Sequence, residues 1–157
     1  MNISKQIQFP NKFILAVILV LLGLIFSLMM LGVYLSSVGQ GLSCLTWPTC
    51  PNGFNFPPPE YFLEHFHRSL VLVVAIRLYS FTVFSFLRVG NKNFQVKLII
   101  ASVLLTTQII LGWVMILTRL NPIVVASHLS TAVALFGILL VTLLSVYNEL
   151  QIKKVKN

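Results

Sequence analysis

The chain has 157 residues, of which 57% are hydrophobic and 9% charged, with a formal net charge of +8. Its mean hydropathy is +0.94. Soluble domains carry about 25% charged residues, so this composition excludes an ordinary soluble protein and indicates an integral membrane protein surrounded by lipid. The basic residues lie at the ends of apolar segments and form no clustered basic face, so we expect no nucleic-acid partner.

Four apolar stretches are long enough to cross a bilayer, which takes about 20 residues in a helix. We therefore predict an all-α integral membrane protein in which residues 1–157 form a single domain. Its four transmembrane helices would form an up-down bundle, with helices at about 13–36, 61–88, 95–117 and 123–147.

The basic residues predict the orientation, because cytoplasmic loops carry an excess of Lys and Arg. Four spans would place only Arg119 in a loop on one side of the membrane. The other side would carry Lys5, Lys12, Arg88, Lys92, Lys97, Lys153, Lys154 and Lys156. We predict a multi-pass protein of the cell membrane with both termini cytoplasmic, so that residues 37–60 form an outer loop.

The outer loop contains the two cysteines of the chain, Cys44 and Cys50, in a C-x5-C spacing. On the oxidising side of the membrane they are expected to form a disulfide. Two roles stay open for it: a staple that shapes the loop, or a redox group.

The helices show a faint internal repeat. LGVYLSS (31–37) and LGWVMIL (111–117) lie near the outer ends of the first and third helices. Each is followed by a helix that re-enters from outside with a histidine near its start, in HRSLVLVV (67–74) and HLSTAVAL (128–135). This pattern predicts two related hairpins.

His67 and His128 are expected at similar depth, about 9 Å and about 7 Å below the starts of their helices at 1.5 Å per residue. Helix bundles build cofactor sites from inward-facing side chains on separate helices. Two imidazoles suit the axial positions of a haem iron, whereas structural zinc takes four protein ligands. The alternative is that each histidine hydrogen-bonds a backbone carbonyl or a neighbouring helix.

EHFHR (64–68) places a carboxylate beside the first of these histidines. Glu64 shares a helix face with His67. A carboxylate at this depth in the membrane is energetically costly and is usually functional. It could orient an imidazole N–H, move a proton, or pair with Arg68. Arg68 in turn could bind a haem propionate or reach to lipid headgroups. His65 points roughly 160° away from His67 and is interpreted as an interfacial residue.

Three polar residues of the third helix, Thr106, Thr107 and Gln108, are interpreted as interhelical hydrogen-bonding groups. Arg77 lies well inside the second helix. Its direction, toward headgroups, a cavity or a subunit interface, is left open by the sequence.

Several motifs together resemble the haem A synthase family. GQGLSCLTWPTCPNG (39–53) is similar to the family's outer loop, and EHFHR matches its E-x-x-H-R. The third and fourth helices carry Q-x-x-L-G (108–112) and NPIVVASHLSTA (121–132), also similar to family motifs. The resemblance covers about residues 31–140, in order.

The resemblance implies that the protein oxidises the C8 methyl of haem O to a formyl group by successive hydroxylations, giving haem A for terminal oxidases. It makes Glu64 catalytic, His67 and His128 axial ligands of haem iron, and haem b the cofactor beside haem O as substrate. The cysteine pair is similar to one implicated in disulfide chemistry at the outer face. A haem O synthase is a candidate partner, and the electron donor is left open.

Two features depart from the family. Usual members have eight helices in two related halves, and this chain has half that length, so a homo-oligomer, most simply a dimer, would rebuild the arrangement. YLSSVG (34–39) also lacks the basic residue of the family's T-R-L-T-like stretch.

Two other functions compete with the synthase. One is a four-helix membrane cytochrome that binds haem b through His67 and His128 and only carries electrons or stores haem. Glu64 separates these two, because an electron carrier needs no acid beside its ligand. The other is a disulfide-exchange enzyme using the two cysteines, which the C-x5-C spacing disfavours.

Overall fold

The computed structural model describes residues 12–156, which contain four long α-helices and no strand. The helices are α1 (Lys12–Ser37), α2 (Phe62–Arg88), α3 (Lys92–Leu117) and α4 (Pro122–Lys156), and a 3-10 turn (Pro59–Tyr61) precedes α2. All four helices are long and apolar enough to cross a membrane. The prediction of an all-helical chain with four candidate membrane spans is confirmed. Lys5, used in the orientation argument, lies outside the described residues.

Two helices, α3 and α4, extend beyond the predicted ranges by more than one residue at one end. The side chain of Asn91 accepts the backbone N–H of Phe94 at 3.0 Å and caps the start of α3, which satisfies a free N–H of the first turn and lets the helix begin at Lys92. Helix α4 continues to Lys156, because the polar residues after position 147 include Glu, Gln and Lys, which favour helix. Apolar length alone therefore underestimates both helices.

The helices pack as a ring in which α1 contacts α2 and α4, and α3 contacts the same two helices. Consequently α2 and α4 lie at opposite corners of the bundle. We call the end that carries residues 38–58 and the α3–α4 turn the loop end. The opposite end, which carries Lys12 and the α2–α3 turn, is the terminal end.

The closely packed apolar core lies toward the terminal end. Counted from the loop end and apart from Leu35, the buried apolar residues of the helices begin at Ile25 on α1, Val74 on α2, Leu105 on α3 and Leu135 on α4. Between that level and the loop end, the buried apolar residues among positions 12–156 are Leu35, Cys44, Cys50 and Pro57. The histidines therefore lie in the part of the bundle that has fewer buried apolar residues.

Side-chain hydrogen bonds join the helices in the terminal half. Tyr79 bonds to Thr106 through their hydroxyls at 2.8 Å, which confirms Thr106 as an interhelical group, whereas Thr107 donates only to Val103 of its own helix.

Arg77 is exposed on the surface of α2 and forms no hydrogen bond or ion pair with another residue between 12 and 156. Its side chain thus faces away from the bundle.

Candidate functional site

The structure brings His67 and His128 to the same end of the bundle. His67 is five residues after the first residue of α2 and His128 six after that of α4, which corresponds to about 8 Å and about 9 Å of helix. Both side chains are half-buried. Two helices at opposite corners therefore present one histidine each in the loop-end half.

Neither imidazole has its Nδ1 satisfied. Nδ1 of His67 and Nδ1 of His128 are buried and have no hydrogen-bond partner among the described residues. The alternative in which each ring hydrogen-bonds a neighbouring helix through this nitrogen is thus not what the structure displays. Buried polar atoms without partners are rare, and they accompany binding and redox functions.

A glycine of the preceding helix faces each histidine. A Cβ built on Gly32 of α1 would lie 3.5 Å from Cε1 of His67, and one on Gly112 of α3 would lie 3.8 Å from Cε1 of His128. Both glycines belong to the repeated Leu-Gly pairs of the sequence. The two hairpins, α1–α2 and α3–α4, thus repeat the same glycine–histidine contact.

These residues fit a haem. Imidazole is a ligand type that holds haem iron in proteins, and these two side chains could supply it. Between residues 12 and 156, no group of three or more His, Cys, Asp or Glu side chains gathers to hold a metal by protein ligands alone. The unpartnered imidazole nitrogens and the glycines beside them lie in the part of the bundle that has fewer buried apolar residues.

Gln108 fixes the backbone of one histidine. Its buried side chain donates from Nε2 to the carbonyl of His128 at 2.6 Å. The sequence-based interpretation of Gln108 as an interhelical hydrogen-bonding group is confirmed. The bond ties α4 to α3 at the level of the site.

Glu64 is directed at the loop and not at an imidazole. Its side chain is buried, and Oε2 accepts the Ser43 hydroxyl at 2.9 Å and the Cys44 backbone N–H at 2.7 Å. Oε1 accepts from Nη2 of Arg68, four residues later. Of the three roles that the sequence left open for Glu64, pairing with Arg68 is the one present in the structure.

Arg68 completes the attachment of the loop. Nη2 also donates to the carbonyl of Cys44 at 2.8 Å, and Nη1 donates to the carbonyl of Thr46. Both backbone groups of Cys44 are therefore held by the Glu64–Arg68 pair, which brackets His67 in the sequence. This contact makes the loop and the start of α2 one unit.

The loop is closed on itself and rests on the third helix. The sulfur atoms of Cys44 and Cys50 lie at bonding distance, with their Cα atoms 5.2 Å apart. The ring of Trp47 packs on Trp113 of α3, with centroids 5.9 Å apart. Trp113 follows Gly112 directly, so the loop contacts the helix that carries the second glycine.

His65 stands apart from the site, as the sequence indicated, whereas Ser43 and the two glycines were not predicted to belong to it. His65 is half-buried and forms no hydrogen bond with any other described residue, so it takes no part in the contacts that surround His67. Ser43 was missed, because its partner Glu64 is 21 positions away and no local pattern joins them. The repeated Leu-Gly pair in the sequence marked Gly32 and Gly112, but the sequence does not show that each glycine lies against a histidine.

A comparison with known protein families identifies the family of this chain. The family model of COX15-CtaA, cytochrome oxidase assembly protein, matches residues 53–157. The match includes Glu64, His67, Arg68 and His128 but begins after the cysteines. No curated protein matches the chain. Since the match covers well over half of the sequence, the chain belongs to the COX15-CtaA family of cytochrome oxidase assembly proteins, which is the haem A synthase family.

Proposed function

We propose that this protein oxidises the C8 methyl of haem O to a formyl group, giving haem A. The family supports a haem A synthase-like role in oxidase assembly. The observation that supports haem binding in this proposal is the pair of half-buried imidazoles, each with an unpartnered Nδ1, on helices at opposite corners of the bundle. The oxidation itself is proposed from the family.

His67 and His128 are proposed as the residues that would hold haem iron. Haem b is the proposed cofactor, haem O the substrate, and a bound haem would supply the redox-active iron. The chain itself contributes the imidazoles, an apolar bundle that excludes water, and the loop held over the start of α2 by Glu64 and Arg68.

Glu64 is the proposed catalytic residue, as the family resemblance implies. In the structure its carboxylate is fully engaged, since Oε2 holds Ser43 and Cys44 and Oε1 holds Arg68. Contact between Glu64 and a substrate would therefore require some of these bonds to open. Arg68 is proposed to bind a haem propionate, and the same opening would free its donors.

The proposed membrane placement has both termini in the cytoplasm of a cell-membrane protein folded as one four-helix domain. It is supported by the basic residues, which cluster toward the terminal end at Lys12, Arg88 and Lys92, whereas Arg119 stands in the loop-end turn. Cytoplasmic segments carry this excess of positive charge. The Cys44–Cys50 disulfide then faces the oxidising side.

A homo-oligomer, with a dimer as the simplest form, is proposed because one chain supplies one pair of histidines at the loop end of the bundle. Two copies related by an axis normal to the membrane would provide two pairs. A haem O synthase is the proposed source of substrate, and an electron donor is also required.

A second candidate function is a haem b membrane cytochrome that carries electrons without modifying haem. One observation favours it: the Glu64 carboxylate is used to hold the loop. Holding the loop is a structural role, and an electron carrier would need it as much as a synthase would.

The two functions are separated by incubating the purified protein with haem O and an electron donor in air, and then analysing the extracted haems by chromatography and mass spectrometry. The synthase yields a product whose mass matches conversion of the methyl to a formyl group. The matched control is the His67→Ala, His128→Ala double variant, which should give no product. Unaltered haem O together with intact bound haem b would reject the synthase in favour of the cytochrome.

A further inference from the structure

We infer that Gly32 and Gly112 are positioning residues that set the orientation of the His67 and His128 imidazoles. Because glycine has no side chain, each of the two positions leaves room for the Cε1 edge of one imidazole ring. The inference rests on the proposed haem site and adds two residues on helices that carry no ligand.

The contacts of the two glycines are specific. Apart from the backbone of its own helix and its chain neighbours, the one heavy atom within 4 Å of a Cβ built on Gly32 is Cε1 of His67, and for Gly112 it is Cε1 of His128. Glycines in membrane helices usually let two backbones approach closely. Here no backbone atom of a neighbouring helix lies within that distance, so close helix approach does not explain either glycine.

The same arrangement occurs twice. Gly32 is five residues before the last residue of α1, and Gly112 is five residues before the last residue of α3. By contrast, a Cβ on Gly23 of α1 or on Gly137 of α4 would meet nothing within 4 Å. Glycine is thus placed against an imidazole in both hairpins, and the other two helical glycines serve as internal comparisons.

The unpartnered nitrogens explain why this contact matters. A metal-binding histidine usually donates its second ring N–H to a carbonyl or carboxylate, which fixes the rotation of the ring. Nδ1 of His67 and Nδ1 of His128 have no such partner among residues 12–156. Packing against the glycine helix is then what limits rotation of each ring, and therefore the direction of its Nε2.

The size of the substituent decides the effect. An alanine methyl at Gly32 or Gly112 would sit at 3.5 Å or 3.8 Å from the ring, which is ordinary van der Waals contact. Leucine extends further from the backbone and would displace the ring edge. Alanine is therefore expected to be tolerated, whereas leucine rotates the imidazole out of its ligand orientation.

The contact is tested without added haem by a double-mutant cycle on the purified full-length chain. Gly32→Leu should lower the thermal unfolding temperature by several degrees when His67 is present, and by much less in a His67→Ala background, because the ring is then gone. Gly23→Leu is the matched control on the same helix and should have the same small effect in both backgrounds. Equal losses for Gly32→Leu in both backgrounds would make the glycine merely structural and overturn the inference.

The consequence for the ligand is tested by visible spectroscopy of the haem-loaded protein. Gly32→Ala and Gly112→Ala should retain the low-spin spectrum of bis-imidazole haem, as should the control Gly137→Leu. Gly32→Leu or Gly112→Leu should convert much of the haem to a high-spin form or lose it. Wild-type spectra in both leucine variants would refute the positioning role.

Failure of this inference is distinguishable from failure of the proposed function. A wild-type protein that binds low-spin haem without converting haem O rejects the synthase while leaving the glycine contacts intact. If the wild type converts haem O and both leucine variants keep the wild-type spectrum, the inference is rejected and the proposed function stands.

Discussion

The backbone of Cys44 is bound at both of its polar groups by one ion pair of α2. Its N–H donates to Glu64 at 2.7 Å, and its carbonyl accepts from Arg68 at 2.8 Å. The disulfide loop and the segment that carries His67 are therefore mechanically connected. Because Glu64 contacts the loop directly, its replacement is expected to alter the structure of the loop more than the position of His67.

Replacement of Glu64 separates its charge from its packing. Glu64→Ala leaves the guanidinium of Arg68, whose side chain is 16% exposed, without its partner, and loss of one member of a buried pair costs on the order of 3 kcal/mol. We expect a lower unfolding temperature and faster proteolysis of the 38–58 loop. Glu64→Gln keeps most of the hydrogen bonding and should retain haem while turnover of haem O falls.

The control for these variants is Glu60→Gln, since Glu60 is exposed and precedes α2. It should behave as wild type in stability, haem content and turnover. Loss of haem in Glu64→Gln would show that the residue is structural for the site, and full turnover would remove it from the catalytic proposal.

Removal of His67 or His128 is expected to weaken haem binding. His67→Ala and His128→Ala should each lose most of the bound haem, because an iron held by one imidazole in an open site dissociates more readily. The measurement is the haem absorbance per protein after purification. His65→Ala is the matched control, two residues away and without a hydrogen bond to a described residue, and it should keep wild-type haem. Unchanged spectra in both ligand variants would refute the assignment.

The state of the cysteines is measured by thiol alkylation and mass spectrometry. Cys44 and Cys50 are the two cysteines of the chain, so every added label reports on this pair. We expect no label without reductant and two after reduction. Equal labelling under both conditions would mean that the thiols are free.

Gln108→Leu tests the hydrogen bond behind His128. The variant removes the 2.6 Å bond to the histidine carbonyl, and interhelical bonds of this kind contribute about 1 kcal/mol. We expect a small decrease in the unfolding temperature together with weaker haem retention. Thr107→Val is the control, because Thr107 is exposed and bonds only within its own helix. A stability loss in Gln108→Leu with unchanged haem retention would limit Gln108 to helix packing.

Counting along the helices was sufficient to find the histidine pair. Their depth depends on where two helices begin, and the predicted and observed starts differ by one residue at each of Phe62 and Pro122. The α4 end was predicted nine residues too early, because apolar length reports the membrane-spanning part of a helix and not its full extent.

The sequence by itself determined the four membrane-length helices, the cysteine pair of the loop and the two histidines near helix starts, because these follow from composition and spacing along one element. Only the tertiary structure decided that Glu64 bonds Ser43 and Cys44 and that a glycine faces each imidazole. Such contacts join residues on different elements, so they depend on how the helices and the loop pack. Glu64 carries a carboxylate, a group that can act in catalysis, but the packing of the loop on α2 directs it toward Ser43 and Cys44.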